Sequence, residues 1–187
     1  IESGARAIVE RVRAKGDVAL IEFAKKFDGA KLTAKTLRVG DAEIVTAGKS
    51  VDSGIKSAIR FAHRNISAFH KHGLRRGWSG RNTQGARVGE KFDAFDRVGI
   101  YIPGGTAPLM STALMTVTLA KVAGCREIVI CTPCDKDGVV NPGLIHAAKV
   151  AGATEIYRVG GAHAIAALAL GTKTIAPVQK IFGPGNA

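Results

Sequence analysis

The amino-acid sequence predicts an α/β fold in which a parallel β-sheet occupies the second half of the chain. Four short, apolar, β-branched segments each end in a turn rich in glycine or proline, at residues 98–102, 128–131, 156–159 and 181–182. Alanine-rich stretches of helical length separate these segments, which gives the order βαβαβαβ. Successive strands joined by helices form a parallel sheet with right-handed crossovers.

The N-terminal region, residues 1–91, is predicted to be mainly helical. Asp17 suits the N-cap of a second helix, which Asp28-Gly29 ends. Residues 37–39 are typical of a short strand, and Asp41 is placed to cap a further helical turn.

The clearest helical pattern of this region follows Asp52. Apolar residues recur at spacings of three and four and share one face, whereas most basic residues face elsewhere. These apolar positions are Ile55, Ala58, Ile59, Ala62, Ile66 and Phe69. Spaced glycines then predict a loop over residues 73–86, which joins the helical region to the sheet region, residues 92–187.

Three helices are predicted within the sheet region. The first covers residues 111–122 and the third covers residues 162–170. The second has the strongest signals, because Asn141 is a natural N-cap, Pro142 suits the first helical position and Gly152 suits the position after the end.

The composition bounds the class of protein. With 187 residues and a hydrophobic fraction of 46%, the chain is long enough to bury one sizeable core. No apolar run approaches the ~18 residues of a membrane span, so no membrane is expected as a partner. The first residue is Ile1, and Ala187 directly follows a Gly-Pro-Gly-Asn turn. We therefore expect the chain to be a piece of a longer protein.

The basic residues are unevenly distributed. The net charge is +12, and residues 60–91 contain eight Lys or Arg against a single acid, Glu90. Such a patch suits a nucleic acid or an acidic partner, but it also suits a solvated surface or one that faces an acidic part of a longer chain. No RNP-type motif, basic zipper or zinc finger is present, so no nucleic acid is expected as a partner.

Three cysteines offer no even disulfide framework and indicate a reducing, cytoplasmic compartment. Cys131 and Cys134 form a C-x-x-C pair, but a zinc site would need a second pair, which Cys125 alone does not supply. A redox motif prefers both sulfurs at a helix N-terminus, whereas Cys131 is predicted to end a strand. We interpret the pair as small residues that flank a Thr-Pro turn.

Ligands bind beyond the carboxyl ends of parallel strands, and all four predicted turns lie at that edge. Paired glycines there let a ligand approach the N–H groups of a helix N-terminus, although tight βα turns also use glycine for steric reasons. The G-x-G-x-x-G dinucleotide fingerprint is absent. The polar side chains expected at this edge are Tyr101, Thr106, Ser111, His163 and Asn186.

Several of these residues also have a purely structural interpretation. Tyr101 suits a core position in which its hydroxyl has a hydrogen-bond partner. His163 suits a position behind the ligand, where it would hydrogen-bond to a residue that touches the ligand. Asn186 suits a turn or a helix cap. His146, in mid-helix, is predicted to be a surface residue. No carboxylate pair, Ser-His-acid set or metal-ligand cluster stands at the strand ends. The chain is therefore predicted to bind a cofactor without performing the chemistry by itself.

Taken together, the motifs resemble the histidinol dehydrogenase family over nearly the whole chain. In the helical region the matching residues are Val12-Arg13, Gly16-Asp17-Val18-Ala19-Leu20, Phe27-Asp28-Gly29, Asn65-Ile66 and Phe69-His70. In the sheet region they are Val98-Gly99-Ile100-Tyr101-Ile102-Pro103-Gly104-Gly105-Thr106-Ala107-Pro108-Leu109, Leu114-Met115, Ala120-Lys121-Val122-Ala123-Gly124, Val159-Gly160-Gly161-Ala162, Ala164-Ile165-Ala166-Ala167-Leu168 and Lys180-Ile181-Phe182-Gly183-Pro184-Gly185-Asn186. The combination is far more specific than any single glycine motif.

The resemblance implies an incomplete Rossmann-like sheet in a zinc-dependent homodimer of histidine biosynthesis. Such an enzyme oxidises L-histidinol to L-histidine in two NAD-dependent steps, through an aldehyde. The resemblance implies cofactor contacts at Tyr101 and Asn186, and at His163, where the family usually has glutamine. It places the zinc ligands and a Glu–His acid/base pair beyond Gly-Pro-Gly-Asn, so neither a metal ligand nor a catalytic residue is expected in this chain.

Three alternatives stay open at this point. Gly73 is a second departure from the family, which commonly has glutamine there, and with His163 it allows a paralogue that oxidises another small polar alcohol. The glycine turns without catalytic groups allow a non-catalytic nucleotide-binding module. A nucleic-acid binder is the third alternative, and the basic stretch, residues 60–91, is its only support in the sequence.

Overall fold

The computed structural model describes residues 2–104 and 109–184. Within these ranges the α-helices are α1 (Glu2–Lys15), α2 (Asp17–Phe23), α3 (Asp41–Ser50), α4 (Ser53–His72), α5 (Met110–Val122), α6 (Pro142–Ala151) and α7 (Gly161–Leu170). A π-helical turn, Ala24–Asp28, continues α2, and a 3-10 turn spans Ala34–Thr36. The strands are β1 (Trp78–Arg81), β2 (Arg87–Glu90), β3 (Arg97–Tyr101), β4 (Glu127–Thr132), β5 (Glu155–Arg158) and β6 (Lys180–Phe182). None of the helices in these ranges is long and apolar enough to cross a membrane.

Strands β3 to β6 form one parallel sheet in the order β5-β4-β3-β6. Val98 of β3 lies opposite Ile128 of β4 and Lys180 of β6. Ile130 of β4 lies opposite Ile156 of β5. The predicted α/β fold with a parallel sheet is therefore confirmed. Because the connection from β5 to β6 runs back past β4 and β3, a right-handed crossover places α7 on the face opposite α5 and α6.

Helices cover both faces of the sheet, and each face lies at the centre of one hydrophobic core. Alternate residues of a strand point to opposite faces, so Val98 and Ile100 pack with α3 to α6, while Val129 packs with α1, α2 and α7. Gly99 faces the second core, where a Cβ would lie 2.9 Å from the Leu168 side chain. The backbone of β3 is therefore held close to α7.

The helix ends confirm some predicted caps and correct others. Asn141 accepts hydrogen bonds from two backbone N–H groups of α6, as predicted. Asp52, which the sequence marked only as the residue before a helix, does the same for α4. Asp17 and Asp41 are wrong as N-caps, because each is the first residue of its helix and a glycine occupies the cap position. The Asp17 carboxylate instead accepts hydrogen bonds from the N–H and hydroxyl of Thr174, at 3.3 and 2.5 Å. These bonds connect α2 to the segment after α7.

The segment predicted as a loop, residues 73–86, contains a strand. β1 and β2 form an antiparallel hairpin in which Trp78 lies opposite Glu90, and the indole of Trp78 donates a hydrogen bond to that carboxylate at 2.9 Å. Every residue of both strands is exposed. A strand without a buried face has no alternation of apolar and polar residues, so the sequence contains no pattern that predicts it.

Two smaller expectations are also corrected. Residues 37–39 form a single antiparallel bridge, between Arg38 and Tyr157, rather than a strand. His146 is half-buried rather than on the surface, because α3 and α6 pack together and bring its ring beside Gly48. Both features depend on contacts between elements that are distant in sequence.

Arg97 organises a charged network at the amino-terminal edge of the sheet. Its guanidinium donates hydrogen bonds to Glu155 at 2.9 and 3.0 Å and also pairs with Glu127. The hydroxyl of Tyr157 donates a third hydrogen bond to Glu155, at 2.7 Å. The hydrogen bonds from Arg97 lower the pKa of Glu155. This network joins the strand starts at the edge of the sheet away from the predicted site.

Candidate functional site

The carboxyl-terminal edge of the sheet brings Tyr101 next to the start of α7. Tyr101 is the last residue of β3, and its hydroxyl accepts a hydrogen bond from the N–H of Gly161 at 3.1 Å. The first N–H groups of an α-helix have no partner within the helix, so the hydroxyl satisfies one of them. Since β4 lies between β3 and β5, this hydrogen bond reaches across a whole strand of the sheet.

An open cleft of about 580 Å³ borders this hydrogen bond. The start of α7 and the ends of β3 and β6 line it together with α1, through residues that include Val9, Tyr101, Pro103, Ala162, Ile165 and Phe182. Its side-chain walls are apolar apart from the hydroxyl of Tyr101. Apolar walls with a few fixed polar groups are typical of a small-molecule site. A cleft therefore lies at the edge where the sequence predicts a ligand.

Close packing explains two of the glycines at this edge. Pro133, in the turn after β4, lies between the turn that follows β3 and the turn that follows β5. A Cβ at Gly104 would lie 2.5 Å from the ring of Pro133, and one at Gly160 would lie 2.7 Å from it. Carbon atoms that are not bonded do not approach so closely, so any larger residue would push the turns apart. The steric explanation therefore applies to both glycines.

His163 lies in the first turn of α7 and points into the protein interior. Its side chain is 1% exposed, and neither ring nitrogen has a hydrogen-bond partner. The ring packs against Phe23 and Phe27, with centroids 5.3 and 5.9 Å away. Burial lowers the pKa of His163 to about 4, so the imidazole is neutral at physiological pH. His163 does not line the cleft beside Tyr101.

The aromatic partners of His163 were not predicted from the sequence. Phe23 and Phe27 are four residues apart, and their rings stack with centroids 5.7 Å from each other. Phe27 remains 53% exposed at the surface and also receives the Lys26 ammonium over its ring. Their spacing indicates one helical face, but a local pattern does not tell which distant residue packs against that face.

None of the other three polar residues expected at this edge is among the described residues that line the cleft. Ser111 is exposed in the first turn of α5. Thr106 and Asn186 lie outside the described residues. The structure thus places Tyr101 at the cleft and His163 behind it, and the assignment of Tyr101, His163 and Asn186 to cofactor binding stays a prediction.

The cysteines near this edge provide no reactive group. Cys131 and Cys134 are free thiols. Burial raises the pKa of both, that of Cys134 to about 11, and a protonated thiol is a poor nucleophile and metal ligand. Within residues 2–104 and 109–184, no three His, Cys, Asp or Glu side chains come together in a way that could hold a metal ion.

Comparison with known proteins identifies the family. The model of the histidinol dehydrogenase family matches residues 1–187. The chain belongs to the histidinol dehydrogenase family. The resemblance found in the sequence motifs is therefore confirmed.

Curated histidinol dehydrogenases and a solved structure agree with this membership. The chain is 46% identical over 186 residues to the histidinol dehydrogenase of Symbiobacterium thermophilum, and 48% identical over 185 residues to that of a Synechococcus strain. The crystal structure of histidinol dehydrogenase from Elizabethkingia anophelis matches 99% of the chain with a TM-score of 0.94 at 39% identity. The chain spans 42% of the length of the first relative, 43% of the second and 42% of the solved chain.

Proposed function

We propose that this chain is part of a histidinol dehydrogenase, which oxidises L-histidinol to L-histidine in two NAD-dependent steps through an aldehyde. The match to the family over residues 1–187 is the observation that carries the proposal. The cleft at the carboxyl-terminal edge of a parallel sheet supports it, because that edge is where nucleotide cofactors bind in such sheets.

In this proposal the cleft beside Tyr101 receives NAD, which supplies the hydride acceptor. The N-terminus of α7, a helix of 10 residues, favours negative charge such as that of a pyrophosphate. The hydroxyl of Tyr101, which accepts from the N–H of Gly161, keeps its own hydrogen to donate to the cofactor, and the apolar walls would hold the cofactor's rings. Asn186 is proposed as a third contact on the family pattern.

His163 is proposed as a further cofactor contact on the same pattern, and its burial sets a condition. The rings of Phe23 and Phe27 cover the imidazole, so it reaches a ligand only when they move. A neutral imidazole offers one donor nitrogen and one acceptor nitrogen. A glutamine amide offers donors on its nitrogen and an acceptor on its oxygen. His163 would therefore replace part of the hydrogen bonding of the glutamine that the family usually has.

Zinc and the acid/base chemistry are assigned to parts of the full-length protein outside this chain. Within residues 2–104 and 109–184, no cluster of side chains is fit to bind a metal ion. The role of this chain is to bind and orient the cofactor. We propose a cytoplasmic homodimer in which residues 92–187 form the cofactor-binding sheet region and residues 1–91 the helical region around it.

Kinetics and calorimetry of the full-length protein test the proposal. The full-length protein should form NADH from NAD in the presence of L-histidinol. Tyr101→Phe removes one hydrogen bond at the cleft and should weaken NAD binding by roughly two- to tenfold, corresponding to ~0.5–1.5 kcal/mol. His72→Gln, at an exposed position on α4, is the matched control. Absence of turnover with histidinol would overturn the proposal, and turnover of another amino alcohol instead would favour the paralogue.

A further inference from the structure

An apolar groove lies on the surface between α5 and the segment that precedes β3. Its volume is about 440 Å³, and its large side chains are Leu74, Phe92, Phe95, Leu119 and Phe182. Each of these five side chains is between 43% and 46% exposed. Scattered apolar residues on a surface are ordinary, but a contiguous apolar groove marks an interaction site.

The groove lies against the outer strand of the sheet. β6 pairs with β3 on one side, and no described strand pairs with its other side. Phe182 lies opposite Ile100 in this register, so both side chains point to the face that α5 and α6 cover. Ile100 is 1% exposed, whereas Phe182, which lines the groove beside α5, is 45% exposed. Both the edge of β6 and its face are therefore open at the same place.

We infer that this groove is the docking surface for a segment of the full-length protein that lies outside this chain. The inference rests on the proposal that the chain works as part of a full-length histidinol dehydrogenase. The chain spans 42% of the length of relatives such as that of Symbiobacterium thermophilum, so more than half of such a protein is available to cover the groove. A strand added in parallel to β6 needs a long crossover connection, which a continuous chain provides.

Charge favours that segment over a second copy of this region. Leu74 belongs to the basic stretch, residues 60–91, which has eight Lys or Arg and one acid. The guanidinium of Arg75 lies 5.7 Å from the ring of Phe92 at the rim of the groove. Asp93 also lines the groove, but its carboxylate is paired with the ammonium of Lys91 at 2.9 Å. Two copies related by a twofold axis would bring two such basic rims together, which costs free energy. The expected occupant therefore carries apolar side chains flanked by acidic residues.

Cysteine labelling of the full-length protein tests the inference. Leu119→Cys places a thiol in the groove, and Val45→Cys places one on α3, where the native side chain is 56% exposed and lies outside the groove. Maleimide should modify the cysteine at 119 at least tenfold more slowly than the cysteine at 45, by mass spectrometry of the peptides. Leu74→Asp changes a side chain of the groove that lies outside the cleft beside Tyr101. In the Leu119→Cys background it should raise the rate at 119, and the cysteines at 119 and 45 should react equally fast in denaturant.

The outcomes separate the two proposals. Equal rates at 119 and 45 in the native protein would show an open groove and overturn the inference. Protection that disappears on dilution to the monomer would mean that a second copy covers the groove, which also overturns it. NADH formation from histidinol is measured on the same samples. Protection that does not depend on concentration, in a protein without dehydrogenase activity, would refute the proposed function and leave the docking surface supported.

Discussion

The buried imidazole of His163 predicts how stability depends on pH. The side chain is 1% exposed and its nitrogens have no hydrogen-bond partner, so the folded protein holds the ring in its neutral form. Burial lowers the pKa from 6.5 to about 4. Because the folded-state pKa lies below the unfolded value, the unfolded chain takes up the proton first as the pH falls. The full stability is present above about pH 7 and is lost progressively between about pH 6.5 and pH 4.

The size of this loss follows from the two pKa values. A difference of one pH unit between them corresponds to about 1.4 kcal/mol, so the fall from 6.5 to about 4 corresponds to roughly 3 kcal/mol. The free energy of unfolding of a domain is typically about 5–15 kcal/mol. Protonation of this single ring is therefore expected to remove a large part of the stability near pH 4.

Urea unfolding between pH 4 and pH 8 measures this effect, with His163→Gln as the variant that cannot be protonated. The wild-type protein should lose roughly 3 kcal/mol more than His163→Gln between pH 7 and pH 4. The cost of burying the glutamine amide does not depend on pH. It therefore shifts the free energy of unfolding by the same amount at every pH and leaves the slope against pH unchanged. His72→Gln, which removes an exposed imidazole, controls for the loss of a histidine in general. Parallel curves for wild type and His163→Gln would refute the reasoning.

Three further substitutions test local contacts. Asn141→Ala removes the cap of α6 and should lower the free energy of unfolding by about 1 kcal/mol, measured as a lower melting temperature. Arg97→Met leaves Glu155 half-buried without its partner and should cost about 3 kcal/mol in urea unfolding at pH 7, part of which Glu155→Gln should restore. Gly99→Ala places a Cβ 2.9 Å from Leu168 and should cost about 1–3 kcal/mol by the same assay; no loss would contradict the close packing of β3 on α7.

Features with a local cause were predictable from the sequence. Asn141 caps α6 and Gly152 follows its last turn in a left-handed conformation, because both roles depend only on the nearest residues. Asp17 looked like a cap by the same local rule. Its carboxylate binds Thr174 instead, 157 residues later in the chain, and a local rule does not include that partner.

The site was predictable to the extent that strand ends determine it. Tyr101 ends β3, so a parallel sheet places it at the carboxyl-terminal edge whatever its neighbours are. Its hydrogen-bond partner, the N–H of Gly161, lies within reach because of the strand order and because Pro133, in the turn after β4, packs against Gly160. The strand alternation and turn residues do not specify which turns touch. The hydrogen bond at the centre of the site therefore emerges only in the folded sheet.

The surroundings of His163 link the two regions of the chain. Burial of the ring and its position at the positive end of α7 both disfavour an imidazolium, so the imidazole is neutral. Phe27 stacks on this neutral ring from the N-terminal helices, with 5.9 Å between the ring centroids and 29° between the ring planes. His163 thus packs the helical region against the sheet region, and any contact of its ring with a cofactor would require those phenyl rings to move.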